Sequence, residues 1–352
     1  MNLEVTVVGS GSWGSGFARL LTKRGHRVQV LTLTVAEAAQ LNATHENPHF
    51  LPGVALPAEI RFVAMEDADI SSAGLVVYAV PTQAVREVAR WAAPMRVAGS
   101  LQLSLAKGYE LGTLKRPTQV IEEETGAPAA ALSGPNHAEE VSKDMPSATV
   151  IAAADEAMAV ALQAAITSDT FRVYTNDDVV GVEFCGAVKN PIAVAVGMSD
   201  GLGFGDNSRA SLITRSVAEI TRLGAIQGAH IATVTGLAGI GDLIATCTSR
   251  HSRNRLAGEL LAKGASPAEV QQQVGQVVEG IPTAYALHDL AGRLGIDMPV
   301  TENVYQVLEG LRTPQEASPT SWAALRRRSG TRTSFDMVFS VKSAWHPSTR
   351  VM

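Results

Sequence analysis

Over the first half of the chain, short apolar runs alternate with helical patterns. Leu75–Val80 is continuously apolar, and Val5–Val8, Val28–Leu31 and Leu101–Leu105 are short runs dominated by Val and Leu, all read as buried strands. Ala129–Leu132, Thr149–Ala152 and Phe171–Tyr174 are further strands of the same sheet. Helical patterns such as Trp13–Arg24 and Ala84–Ala92 fall between them. The alternation predicts an α/β fold with a doubly wound, mainly parallel sheet.

Near residue 180 the pattern changes. Ile213, Val217, Ile220 and Leu223 recur at helical spacing, as on the core face of a helix, and Gly224 then stands where a C-cap is expected. No convincing strand follows. The boundary is expected within Asn176–Gly181, giving a first domain over 1–180 and an all-helical second domain over 181–311. From 312 to 352 the chain is polar, rich in Ser and Thr, carries Arg326-Arg327-Arg328, and predicts a peripheral tail of unassigned role.

Composition narrows the classes. At 352 residues the chain exceeds the usual single-domain size. Apolar residues at 46% and charged residues at 18% describe a globular protein, not a disordered one. A net charge of −5 argues against a nucleic-acid partner, which would require clustered positive charge. No apolar run is expected to reach the length of a bilayer-spanning helix, and Met1-Asn2-Leu3-Glu4 lacks the features of a signal peptide. Cys185 and Cys247 read as reduced thiols, so a cytoplasmic location is expected. The eight histidines show no paired ligand spacing, so no metal is expected.

Gly9-Ser10-Gly11-Ser12-Trp13-Gly14 follows the first strand directly and opens a helix, the context in which a glycine-rich turn cradles a dinucleotide. Gly9 permits the tight turn, Gly11 admits a pyrophosphate, and Gly14 allows close helix–strand packing. Ser12 and Trp13 begin the helix, whose unpaired N–H groups face the phosphates. The sheet is therefore expected to be of Rossmann type. After the second strand, Thr32-Leu33-Thr34 offers neither an acid for a ribose 2′-hydroxyl nor an arginine for a 2′-phosphate. Glu37 lies further on and also reads as an ordinary helix-face carboxylate. NAD and NADP both stay open, with a lean to NADP because no acid repels it.

The later motifs carry the specificity. Lys107-Gly108 and Ser133-Gly134-Pro135-Asn136 each follow a strand, where ligands of open α/β sheets bind. Gly186-Ala187-Val188-Lys189-Asn190, Gly239-Ile240-Gly241-Asp242-Leu243 and Ser252-Arg253-Asn254-Arg255 come next, in that order. Asn47-Pro48-His49-Phe50-Leu51-Pro52 and Val277-Val278-Glu279-Gly280 are two further segments of this kind. As an ordered set spanning roughly residues 3 to 310, they resemble the NAD(P)-dependent glycerol-3-phosphate dehydrogenases, especially the bacterial type.

That resemblance implies hydride transfer between a nicotinamide and C2 of dihydroxyacetone phosphate, giving sn-glycerol 3-phosphate for phospholipid synthesis. It implies Lys189 as the proton-transferring group, with Lys107 and Asp242 as its catalytic partners. Such a lysine must be made less basic, which burial or the Lys107 cation would do and Asp242 would oppose. Lys107 could also polarise the C2 oxygen. Asn190, Thr246 and Asn254 are implied contacts of substrate oxygens, while Gly134, Asn136 and Ala138 would line the cleft. Ser252 is an implied substrate contact and can also cap a helix whose first turn presents Arg253 and Asn254 to the phosphate ester. Lys107, Ala138, Arg253, Val277 and Glu279 are implied contacts of the cofactor, although an exposed helix-end carboxylate would read like Glu279. A homodimer is also implied. Pro191 departs from the pattern and predicts a kink beside Lys189, costing about 3 kcal/mol. A hydroxyacid dehydrogenase of the 6-phosphogluconate type is the rival enzyme, and a redox-sensing dinucleotide-binding regulator the rival outside enzymes. The first lacks the Lys189-Asn190 spacing, and the second has no use for Lys107, Lys189 and Asp242 together.

Overall fold

The strands of the computed structural model, which describes residues 2–318, are β1 (Glu4–Val8), β2 (Arg27–Thr32), β3 (Glu46–Asn47), β4 (Leu51–Ala55), β5 (Arg61–Ala64), β6 (Leu75–Tyr78), β7 (Leu101–Ser104), β8 (Ala129–Ser133), β9 (Ser147–Ala152) and β10 (Phe171–Asn176). Eight of them form one sheet in the order β10-β9-β8-β7-β6-β1-β2-β5. Strand β1 lies between β6 and β2 in parallel register with both, Val5 opposite Val28 of β2 and Leu75 of β6. Valines and leucines of these strands are fully buried because helices cover both faces of the sheet.

Two features escaped the hydrophobic pattern. The edge strand β5 alternates exposed and buried residues, a weaker signal than a continuous apolar run. The short antiparallel pair β3–β4 brackets the Asn47–Pro52 segment, with Glu46 opposite Ala55. Strand β9 is also antiparallel to β8, within an otherwise parallel sheet. The helix joining these two strands spans only Ala138–Val141, too short to return the chain along the sheet as a parallel crossover requires.

Beyond β10 the structure is helical to Ala317. Helix Val179–Gly201 is central, and every residue from Gly181 to Ser199 is buried. Helices Asp206–Gln227, Asp242–Thr248, Arg253–Ala262, Gly280–Leu294 and Pro299–Leu308 wrap it. At 23 residues and a mean hydropathy of 1.5 its most apolar stretch matches a bilayer span, contrary to the sequence expectation. Its burial identifies it as a protein core, since a helix apolar on every side must be covered. The helix runs unbroken through Pro191. The ring withholds only the hydrogen bond to the Ala187 carbonyl, and packing on all sides holds the remainder in place. Gly224 is not a C-cap. It lies inside helix Asp206–Gln227 against the Phe184 ring, and the left-handed cap is Gly228. The Arg326–Arg328 tail lies outside the described residues.

Candidate active site

The sheet reverses its strand order between β1 and β6, and ligands of such sheets sit in the crevice beyond that point. Gly9 occupies it with φ +109°, and a Cβ there would lie 2.6 Å from the Ala79 carbonyl oxygen. A Cβ on Gly14 would lie 2.0 Å from the Gly9 carbonyl oxygen, so helix Ser12–Lys23 packs against the turn only without one. Around Gly11 a Cβ would meet nothing within 4 Å. That open space lies at the N-terminus of a helix with no side-chain cap, which leaves backbone donors for an anion. Trp13 leans on Phe17 and Phe171, and its buried indole N–H has no partner. Asn47 braces the turn, donating to the Ser10 carbonyl at 2.7 Å and to the Ser15 hydroxyl at 3.0 Å. These features fit a dinucleotide.

Glu37 changes the reading of this turn. Its carboxylate accepts from the Ser10 hydroxyl at 2.5 Å, so an acid does stand at the glycine turn. The lean to NADP rested on there being none and loses its basis. The sequence concealed this because the three residues after Thr34 turn back as a helix, whose cap Thr34 accepts from the Glu37 N–H.

The segments after β7 and β8 meet the helical layer at a second cluster. Lys107, beyond β7, donates to the Gly134 carbonyl at 3.0 Å, to Asn136 Oδ1 at 3.1 Å and to Asp242 Oδ2 at 2.7 Å. All three of its protons are thereby engaged. Lys189 Nζ donates to the Thr246 hydroxyl at 2.8 Å and lies 3.4 Å from Asp242 Oδ1. Thr246 in turn donates to the Asp242 carbonyl at 2.7 Å. Gly186 makes this approach possible, because a Cβ there would lie 2.6 Å from the Ser133 hydroxyl. Burial brings Lys189 down to about 8 against the pull of Asp242, and Lys107 reinforces burial. For Asp242 burial works upward, but Lys107 and then Lys189 hold the carboxyl below its ordinary range. The cluster therefore sets a lysine with three hydrogen-bond acceptors beside one that burial makes less basic.

A chain of amides ties the cluster to the helical layer. Asn190 donates to the Lys107 carbonyl at 3.0 Å, Asn254 donates to Asn190 Oδ1 at 3.0 Å, and the Gly280 N–H donates to Asn254 Oδ1 at 2.9 Å. Asn254 reaches Asn190 because Gly197 and Gly258 let their helices cross at backbone contact. Ser252 caps helix Arg253–Ala262, its hydroxyl oxygen accepting from the Arg255 N–H at 3.2 Å. Arg253 is exposed at the start of that helix and donates to Gln276 Oε1 at 3.2 Å. Ser12 donates to the same oxygen at 3.1 Å, so Gln276 joins the glycine turn to Arg253.

Glu279 is half-buried. One carboxylate oxygen accepts from the Thr82 N–H at 2.8 Å, and the other is buried with no partner. Ala138 packs against Gly16 of the first helix, and Val277 is exposed beside Gln276. The sequence reading missed Gln276, His137 and the bracing role of Asn47. His137 follows Asn136 directly, and burial, then the Lys189 cation, lowers its pKa. No group of three His, Cys, Asp or Glu suited to a metal occurs among the described residues.

A dinucleotide crevice facing a buried Lys–Asp–Lys cluster defines a nicotinamide-dependent oxidoreductase. Residues 4–159 match the family model described as the N-terminus of NAD-dependent glycerol-3-phosphate dehydrogenase, and residues 178–318 match that of its C-terminus. The chain is 51% identical over 308 residues to a glycerol-3-phosphate dehydrogenase [NAD(P)+] of Moorella thermoacetica, covering 88% of this chain and 92% of that one. A protein of the same name from Pelotomaculum thermopropionicum is 46% identical, over 88% of this chain and 90% of its own. The crystal structure of glycerol-3-phosphate dehydrogenase from Coxiella burnetii superposes with a TM-score of 0.87 at 35% identity, covering 91% of this chain and 99% of that one. The chain belongs to the NAD-dependent glycerol-3-phosphate dehydrogenase family.

Proposed function

We propose that this chain interconverts dihydroxyacetone phosphate and sn-glycerol 3-phosphate with Lys189 as the proton-transferring group. Residues 1–180 bind the dinucleotide and residues 181–311 complete the substrate site. The observation that carries the reading is the buried cluster in which Asp242 is shared by Lys107 and Lys189. When bound, the nicotinamide supplies hydride to C2 or accepts it from C2. Lys189, as the ammonium, gives its proton to the C2 oxygen during reduction and is left as the neutral amine. During oxidation it takes that proton back. Asp242 and Thr246 hold the amine in one position through both states. Lys107, with its protons engaged, fixes Asp242 and lends positive potential to the developing alkoxide.

The same reading gives Arg253 and the helix start behind it the phosphate ester, with Asn190, Asn254 and Thr246 as polar neighbours of the substrate. Gly134, Asn136 and Ala138 line the cleft. Gly9, Gly11, Ser12, Trp13, Gly14, Val277 and Glu279 face the cofactor. Such a site binds the ester to position C2 rather than to react with it. Two buried free cysteines suit a reducing, cytoplasmic location, and a homodimer completes the reading. Light scattering on the purified protein tests the dimer.

Turnover of dihydroxyacetone phosphate against unphosphorylated dihydroxyacetone tests the function. Reduced cofactor should be consumed with the ester at a kcat/KM about 100-fold or more above that for the free triose, as loss of charge-assisted contacts to a dianion implies. Equal rates would remove the phosphate from the reading.

A further inference from the structure

Resting on the dehydrogenase reading, we infer that Glu37 makes this enzyme selective for NAD(H) over NADP(H) by occupying the place where a 2′-phosphate would sit. Three observations carry it. The Glu37 carboxylate is anchored by the Ser10 hydroxyl at 2.5 Å, and Ser10 is the second residue of the glycine turn. Ser10 is itself fixed, its carbonyl accepting from Asn47 at 2.7 Å and from Ser15 at 2.9 Å. The acid is therefore held at the carboxyl ends of β1 and β2, beside which the adenosine ribose of a dinucleotide lies in this type of sheet. Its second oxygen has no partner among the described residues and remains available to accept from a ribose hydroxyl.

The second observation is a lack of cations in the sequence. No Lys or Arg occurs between Val28 and Ile60. Arg61 begins β5, with its Cα opposite Gln29, three pairs from the strand end where Thr32 meets Ala64. The third is the charge just beyond β5 at that end, where Glu66 and Asp67 are both exposed and acidic. A ribose 2′-hydroxyl can donate to a carboxylate, whereas a 2′-phosphate would stand beside one with no neighbouring cation from β2, β5 or the segments after them. Repulsion between a dianion and a partly exposed carboxylate at close range amounts to about a 10- to 100-fold difference in affinity.

Equilibrium titration of the purified enzyme, followed by nicotinamide fluorescence, tests this without turnover. NADH should bind at least about tenfold more tightly than NADPH, and 2′,5′-ADP should compete less well than ADP. Glu37→Gln keeps a hydrogen-bonding group near Ser10 and should narrow the NADH preference about tenfold, mainly by tightening NADPH. Ser10→Ala removes the anchor but not the charge and should narrow the preference in the same direction, by less than Glu37→Gln does; a preference widened by Ser10→Ala would overturn the proposal. Equal or tighter binding of NADPH by the wild-type enzyme would overturn the proposal and leave the dehydrogenase reading standing. So would a Glu37→Gln variant that weakens both cofactors alike, because that is the mark of a purely structural brace. Binding of neither cofactor would overturn the proposal together with the reading beneath it.

Discussion

The glycine turn and the lysine cluster lie in one molecule but are specified in opposite ways. The turn is six consecutive residues that run from the end of one strand into the first turn of one helix, and its shape follows from the positive φ of Gly9 and the missing Cβ of Gly14. The cluster joins Lys107 to Asp242 across 135 residues and Lys189 to Thr246 across 57. Local chemistry suffices for the first. The second exists only when the sheet and the helical layer are docked, since Asn190 and Asn254 span that junction. A binding turn can therefore survive the loss of the reaction chemistry, whereas the chemistry requires the whole fold.

The sharpest way to break the comparison is Lys189→Met. It should lower kcat by about 10²- to 10⁴-fold, the contribution of a positioned acid–base group, while the dissociation constant for reduced cofactor stays within about twofold. Steady-state rates and a cofactor titration on the same preparation check both halves. Cofactor affinity falling in step with kcat would show that turn and cluster are not separable.

The turn has its own test in a pair of glycines. Gly14→Ala forces a Cβ into the Gly9 carbonyl and should destabilise the fold by about 1–3 kcal/mol, seen as a lower melting temperature. Gly11→Ala meets open space and should leave melting unchanged while weakening cofactor binding. Matching effects from the two substitutions would contradict the assignment of that space to a ligand.

The pH dependence is the mildest probe, and it addresses the cluster alone. With Lys189 lowered to about 8, oxidation of the alcohol needs the neutral amine. Its kcat/KM should therefore rise about tenfold per pH unit below 8 and level off above it. Reduction needs the ammonium and should decline above about 8. Profiles measured in both directions check the sign, and Lys189→Met should abolish the inflection.

Much of the sheet was readable because its central strands are short runs dominated by Val, Leu and Ala, a mark left by burial on both faces. Strand β5 was not readable, since an edge strand is half exposed. The antiparallel turn of β9 and the position of Gly224 inside a helix were also hidden, because both depend on how long a connection or helix runs rather than on local preference. Among site residues, the glycine turn and the Ser252 cap rest on local pattern, whereas Gln276 and Glu37 acquire their roles from partners distant in the chain.

By itself the sequence determined the class of sheet, the glycine turn and the residue types needed for hydride and proton transfer, because these follow from periodicity and from the chemistry of neighbouring residues. Only the tertiary structure set the two lysines apart. Lys107 and Lys189 carry the same side chain, and three acceptors around one against a single hydroxyl and a shared carboxylate around the other set them apart. It likewise decided that Glu37 belongs to the turn, since a helix folded back over 27 residues of sequence brings the acid to Ser10. Burial and distance are properties of packing, and no single stretch of chain contains them.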